Sequence, residues 1–129
     1  VSERVEELRR ALLLVHRAIL DAERADYERR HGAVGGPEFL RLLLNDLRYD
    51  WLRPLSELVI QFDETQAEAA KEGEPIPDER VDVLVDVARE LLLPPKPGVA
   101  FGRRYADLLQ REPDVVMAHA GLVQTLRDG

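Results

Sequence analysis

Pro37-Glu-Phe-Leu-Arg-Leu-Leu-Leu-Asn-Asp-Leu-Arg-Tyr-Asp-Trp-Leu-Arg-Pro-Leu-Ser-Glu-Leu-Val-Ile-Gln-Phe62 holds the only tryptophan, two of the three phenylalanines and the densest apolar content of the chain. Its leucines recur at steps of three and four rather than two, the spacing of helices with apolar stripes. Pro54 lacks a donor N–H and would clash inside a continuous helix at a cost of about 3 kcal/mol, but it is harmless in a first turn. The stretch therefore reads as two helices meeting near Asp50, with Asp50 as the cap of the second. Phe39, Leu40, Leu43, Leu44 and Leu47 form the expected buried stripe of the first, and Trp51, Leu55, Leu58, Val59 and Phe62 that of the second.

Upstream, Ser2 reads as an N-cap, with Glu3 and Glu6 where a helix dipole favours negative charge. Val5, Leu8, Leu12, Val15, Ile19 and Ala22 make one apolar line, and Leu13, His16, Leu20, Glu23 and Tyr27 lie along a second. Gly32 and Gly35-Gly36-Pro37 end this helix after some 30 residues, about 45 Å. Its charged end at Arg24 to Arg30 is expected to project or to meet a partner. Downstream, Gly73 closes the helix that carries Phe62, and Asp78 is the expected cap of the next. Val81, Leu84, Val85, Ala88, Leu91 and Leu92 keep helical spacing for longer than a typical strand. Pro94-Pro95-Lys96-Pro97-Gly98 is a stiff linker. Phe101, Tyr105, Leu108 and Leu109 form a short helix, and Pro113-Asp114 starts a last one, uncharged from Val115 to Leu126, which belongs inside.

The fold class expected is all-α. It is a single helical-bundle domain over 1–129, with four blocks (2–31, 37–72, 78–93 and 99–127), the second bent near Asp50 and the fourth near Pro113. A chain of 129 residues buries about two thirds of its unfolded surface and needs no staples. Cysteine is absent, which removes disulfides, thiolate metal sites and cysteine nucleophiles. The longest uncharged run is far short of the roughly 20 residues of a membrane span, and the N-terminus is no signal peptide, so the expectation is a cytoplasmic protein without a membrane partner.

Net charge is −7, and between Gln61 and Arg80 seven acids face only Lys71 and Arg80. Without a basic stripe or interleaved aromatics, nucleic acid is not an expected partner. Ser2 and Ser56 are the only serines. Ser56-Glu57 lacks a glycine elbow and a fixed base, so serine chemistry has little to use.

Three phrases, Leu-Leu-Leu-Val-His-Arg-Ala-Ile-Leu-Asp-Ala-Glu-Arg (12–24), Trp-Leu-Arg-Pro-Leu-Ser-Glu-Leu (51–58) and Glu-Pro-Asp-Val-Val-Met-Ala-His-Ala (112–120), resemble stretches of a group of small bacterial proteins without an assigned activity. The resemblance implies a bacterial, all-helical, cytoplasmic protein and no functional residue.

The candidate ligand-binding residues are His16, Glu23 and Tyr27 along one helix line and His119 on the last helix. Two histidines facing a core from different helices, with a carboxylate, make a nitrogen-and-oxygen set suited to zinc or iron. Ferritin-like sites need two Glu-x-x-His pairs; Glu28-Arg-Arg-His31 is the only one here, so neither a complete metal set nor a cofactor is expected. Histidines on apolar faces more often pack as amphipathic filling. The expected function is therefore non-enzymatic: a bundle acting by self-association or by binding a protein partner. The expected homodimer forms through the long first helix or through 39–62. The alternative is a metal or small apolar ligand held between helices by His16 and His119 with a carboxylate.

Overall fold

The structure, a computed structural model, describes residues 2–128, with side chains described for residues 3–127; the capping role expected of Ser2 lies outside them. It is all-helical, and no strand occurs among the described residues. Six α-helices follow one another: α1 Ser2–His31, α2 Gly36–Asn45, α3 Arg53–Glu72, α4 Asp78–Leu92, α5 Ala100–Arg111 and α6 Pro113–Asp128. A 3-10 turn, Leu47–Leu52, joins α2 to α3.

The breaks follow local chemistry. α1 ends where Gly32 takes a φ of 88°, a left-handed conformation that costs glycine little. Pro37 and Pro54 both sit in first turns, where no intrahelical donor is lost. Asp50 does not cap α3: it lies inside the 3-10 turn and pairs with Arg53 at 2.9 Å. α3 starts without a side-chain cap, and it is the preceding 3-10 turn that is capped, by the Asp46 carboxylate accepting from the Arg48 N–H at 3.0 Å. At α4 the cap position is Pro77 rather than Asp78, and Asp78 supplies first-turn negative charge instead.

α1 is the axis of the core. It packs chiefly against α6 and α3, while α3 also packs against α4 and α5 against α6. Val5, Leu8, Leu12, Val15 and Ile19 are almost fully buried, as the 3-4 line anticipated, and Leu55, Leu58 and Phe62 of α3 meet them in the core. Trp51 is also buried, its ring 6.0 Å from Phe101 and under the Arg104 guanidinium at 5.1 Å.

Three expectations fail here. The charged end of α1 does not simply project: the 32–35 loop folds back on it, with Arg24 donating to the Val34 carbonyl at 2.6 Å and the Val34 N–H donating to Glu28 at 2.9 Å. α6 is not wholly interior, because only Val115, Leu122 and Leu126 of its uncharged run are buried, while Val116 and Met117 face out. Absence of charge does not place a helix when only one of its sides has neighbours. The largest departure is α2. Phe39 alone of its expected stripe is buried, and Leu40, Leu44 and Leu47 are 53, 72 and 82% exposed. α2 has ten residues and packs mainly on the adjoining 3-10 turn, so its far side is left uncovered by the described residues.

Candidate functional site

The exposed leucines overhang a recess. α1 contributes His16 and Leu20 to its floor; α2 contributes Leu40, Leu43 and Leu44; Tyr49, Asp50 and Leu52 come from the 3-10 turn and Arg53 and Ser56 from α3, enclosing about 260 Å³. The recess lies where the 3-10 turn carries the chain from α2 to α3, beside His16 and Leu20 of α1. Phe39 anchors it from the other side, edge-on to Tyr49 at 5.8 Å and 6.4 Å from Tyr27.

The polar feature of the recess is a pair that the sequence does not announce. Nε2 of His16 lies 3.2 Å from the Ser56 hydroxyl, 40 residues away in the chain. Burial lowers the imidazole below its ordinary value, so the ring is neutral at pH 7 and one N–H···O or O–H···N bond satisfies both groups. A nucleophilic serine would need more: a group fixing the far ring nitrogen and donors for a developing oxyanion. Among the described residues Nδ1 of His16 has no such partner. Pro54, two residues before Ser56, also removes an N–H from the first turn of α3. The arrangement positions a neutral histidine and a hydroxyl at the base of an apolar recess.

The other three anticipated residues lie apart from it. Glu23 is 4% exposed and takes a hydrogen bond from Arg104 at 3.1 Å, a pair bridging α1 and α5. A carboxylate so buried is tolerable because that guanidinium, half exposed, compensates it. His119 bonds through Nδ1 to the Tyr105 hydroxyl at 2.7 Å. Burial raises the phenol and lowers the imidazole, so both are neutral. Tyr27 packs among rings, 4.6 Å from His31, with the Arg48 guanidinium 5.8 Å from its centroid. His16 reaches α3 and His119 reaches α5, so the two histidines serve different contacts rather than one shared site. No three His, Asp or Glu side chains gather as a metal-ligating group among the described residues.

Trp51 adds a last polar irregularity, since its buried Nε1–H has no hydrogen-bond partner among the described residues. Such a donor costs about 1–3 kcal/mol. The Arg104 guanidinium over the ring is a cation–π contact of the kind that returns about 1 kcal/mol or more.

No helix among the described residues is long and apolar enough to cross a membrane. Fold and recess together define an all-α protein with an uncovered leucine face beside a small, mostly apolar depression. Comparison with protein families, with curated proteins and with solved structures finds no match for the chain.

Proposed function

We propose that this protein is a non-enzymatic helical-bundle interaction module that associates with a second copy through the leucine face of α2. The bundle of four sequence blocks is its scaffold, with α1 packed on α3 and α6. The observation that carries the reading is the exposure of three large apolar side chains, Leu40 and Leu44 one turn apart on α2 and Leu47 at the start of the 3-10 turn that follows it. Helix one, the other route to a dimer, is set aside because its stripe from Val5 to Ile19 is already spent on the core.

Magnitudes set the strength of the contact. Burying an exposed leucine is worth about 1.5–3 kcal/mol, while association costs about 4–15 kcal/mol in lost freedom. Three partly exposed leucines therefore only approach break-even, and the recess beside them must also be filled. Its volume is below the roughly 300–1,000 Å³ of small-molecule sites, which suits an apolar side chain or two from the partner better than a separate ligand. Arg41, Asp46, Arg48, Asp50 and Arg53 put both signs of charge around the face, which lets a two-fold contact pair them. A specific interface of this kind buries at least about 1,000 Å² in total.

The test is light scattering across a concentration series. The native chain is expected to dimerise in the micromolar range, and Leu44→Lys with Leu47→Lys to remain monomeric at every concentration with unchanged helical circular dichroism. A native chain that stays monomeric at high micromolar concentration would falsify the proposal. The alternative ligand reading rests on the His16–Ser56 pair at the floor of the recess; a ligand-induced rise in melting temperature that disappears in His16→Ala would favour it.

A further inference from the structure

A second uncovered surface lies on the other side of α3. Residues of α3 and α4 with the following loop enclose an open groove of about 670 Å³. Its floor is apolar, made by Leu58, Val87 and Leu91, and its rim is acidic, with Glu57 on one wall and Asp86 and Glu90 on the other. The walls are the two arms of a helical hairpin turning at 73–77, so they run antiparallel. The face continues beyond the groove. Ile60 lies one turn from Glu57, and Val83 one turn from Val87; both are about half exposed, and Glu64 follows on the same side of α3 as Glu57 and Gln61.

Charge decides what this surface fits. Among the described residues neither Glu57 nor Asp86 has an ion-pair partner. Lys96, the one cation among the described residues that line the groove, is occupied by Glu90: its ammonium lies 3.5 Å from that carboxylate and donates to the Glu90 carbonyl at 2.9 Å. An apolar strip flanked by carboxylates, of which Glu57 and Asp86 are unpaired among the described residues, repels anions and acidic proteins, and attracts a helix with leucine-like residues on one face and lysine or arginine at its margins. A second copy does not supply that helix from its exposed α2. There Glu38 and Asp46 offset Arg41 and Arg48, and Arg48 is tied to Asp46 at 3.2 Å.

We propose that the groove between α3 and α4 is a docking site for a cationic amphipathic helix of another protein. From Pro54 to Gln61 the groove runs about 10 Å, and out to Glu64 about 15 Å, so it seats two to three turns of the guest. Apolar anchors at i, i+3 or i+4, and i+7 rest on Val87 and Leu91. Basic residues on either flank meet Glu57 on one wall and Asp86 with Glu90 on the other.

The probe is a fluorescein-labelled peptide of about 14 leucines and lysines patterned as an amphipathic helix, titrated with the full chain and followed by anisotropy at physiological salt. Binding is expected to weaken by about tenfold or more when Glu57, Asp86 and Glu90 are all replaced by lysine. It should also weaken in Val87→Asp, which leaves the rim intact, and tighten in Lys96→Glu. Replacing Glu3, Glu7 and Glu38 by lysine changes net charge equally at positions that do not line the groove, and is expected to alter affinity by no more than about twofold. Equal weakening by that control set would reduce the effect to bulk charge and overturn the proposal. So would a native chain that does not bind the peptide, or comparable binding of a leucine–glutamate peptide. Loss of self-association in the groove variants would assign the surface to a second copy instead. If the rim variant loses its helical circular dichroism, Val87→Asp and Lys96→Glu decide between these outcomes.

Discussion

α1 and α2 both carry apolar residues at helical spacing, and α2 is the more sharply amphipathic of the two. Yet the stripe of α1 is buried, and that of α2, Phe39 apart, stands largely in solvent. α1 has 30 residues and two long helices lying along it, while α2 has ten and leans mainly on the turn that follows it. Amphipathicity states that a helix has a face in need of cover; the length and reach of neighbouring elements state whether the same chain covers it. Where they do not, the face is surplus to the fold, and an interaction is its simplest use.

The sharpest way to break this contrast is one substitution made on each helix. Leu12→Ala, in the centre of the core, is expected to destabilise the chain by about 2–5 kcal/mol. Leu44→Ala should stay within about 0.5 kcal/mol of the native value when denaturation is measured at a concentration too low for the proposed dimer to form. Comparable losses at the two positions would mean that α2 is covered by its own chain after all.

Acid titration separates the same regions more finely. Burial holds the His16 and His119 imidazoles below their ordinary 6.5 in the folded chain, so the unfolded chain binds more protons once the pH falls below that value. The contribution of these two groups is complete above about pH 6.5 and is lost as the pH falls through 6.5 toward the folded values. The slope is at most about 1.4 kcal/mol per pH unit for each histidine. His119→Gln should remove its share at any protein concentration. His16→Gln, beneath the α2 face, should remove a larger share at high protein concentration if the proposed dimer closes the recess. A slope unchanged in the double variant would assign the acid sensitivity to other groups.

The smallest effect is expected at the junction. Pro54→Ala should shift stability by about 1 kcal/mol or less in chemical denaturation, because the proline lies in the first turn of α3 and its change relieves neither a clash nor a lost hydrogen bond. A gain of several kcal/mol would show strain at the point where the chain leaves the uncovered region for the covered one.

How much of the site was legible follows from the same contrast. The apolar line of α1 points to His16, and it does lie in the recess. Its partner Ser56 carries no such signal, because a helix start gives no sign of what approaches it from another helix. Glu23 and His119 share with His16 the pattern of polar residues on core-facing lines. They bond instead to consecutive residues of α5, Arg104 and Tyr105, since α5 lies where both can reach it.

The sequence by itself determined that the chain is helical, where most of the helices stop and which residues of α1 form its core-facing line. Each of these depends on neighbours within a few residues: 3-4 spacing, glycine after a last turn, proline in a first one. Only the tertiary structure decided that α2 would be left uncovered, that Asp46 rather than Asp50 would cap, and that His16 would meet Ser56 40 residues away while Glu23 met Arg104 81 residues away. A periodic pattern describes one helix taken alone, whereas cover and partnership belong to pairs of helices, and which pairs form is settled by the packing of the whole chain.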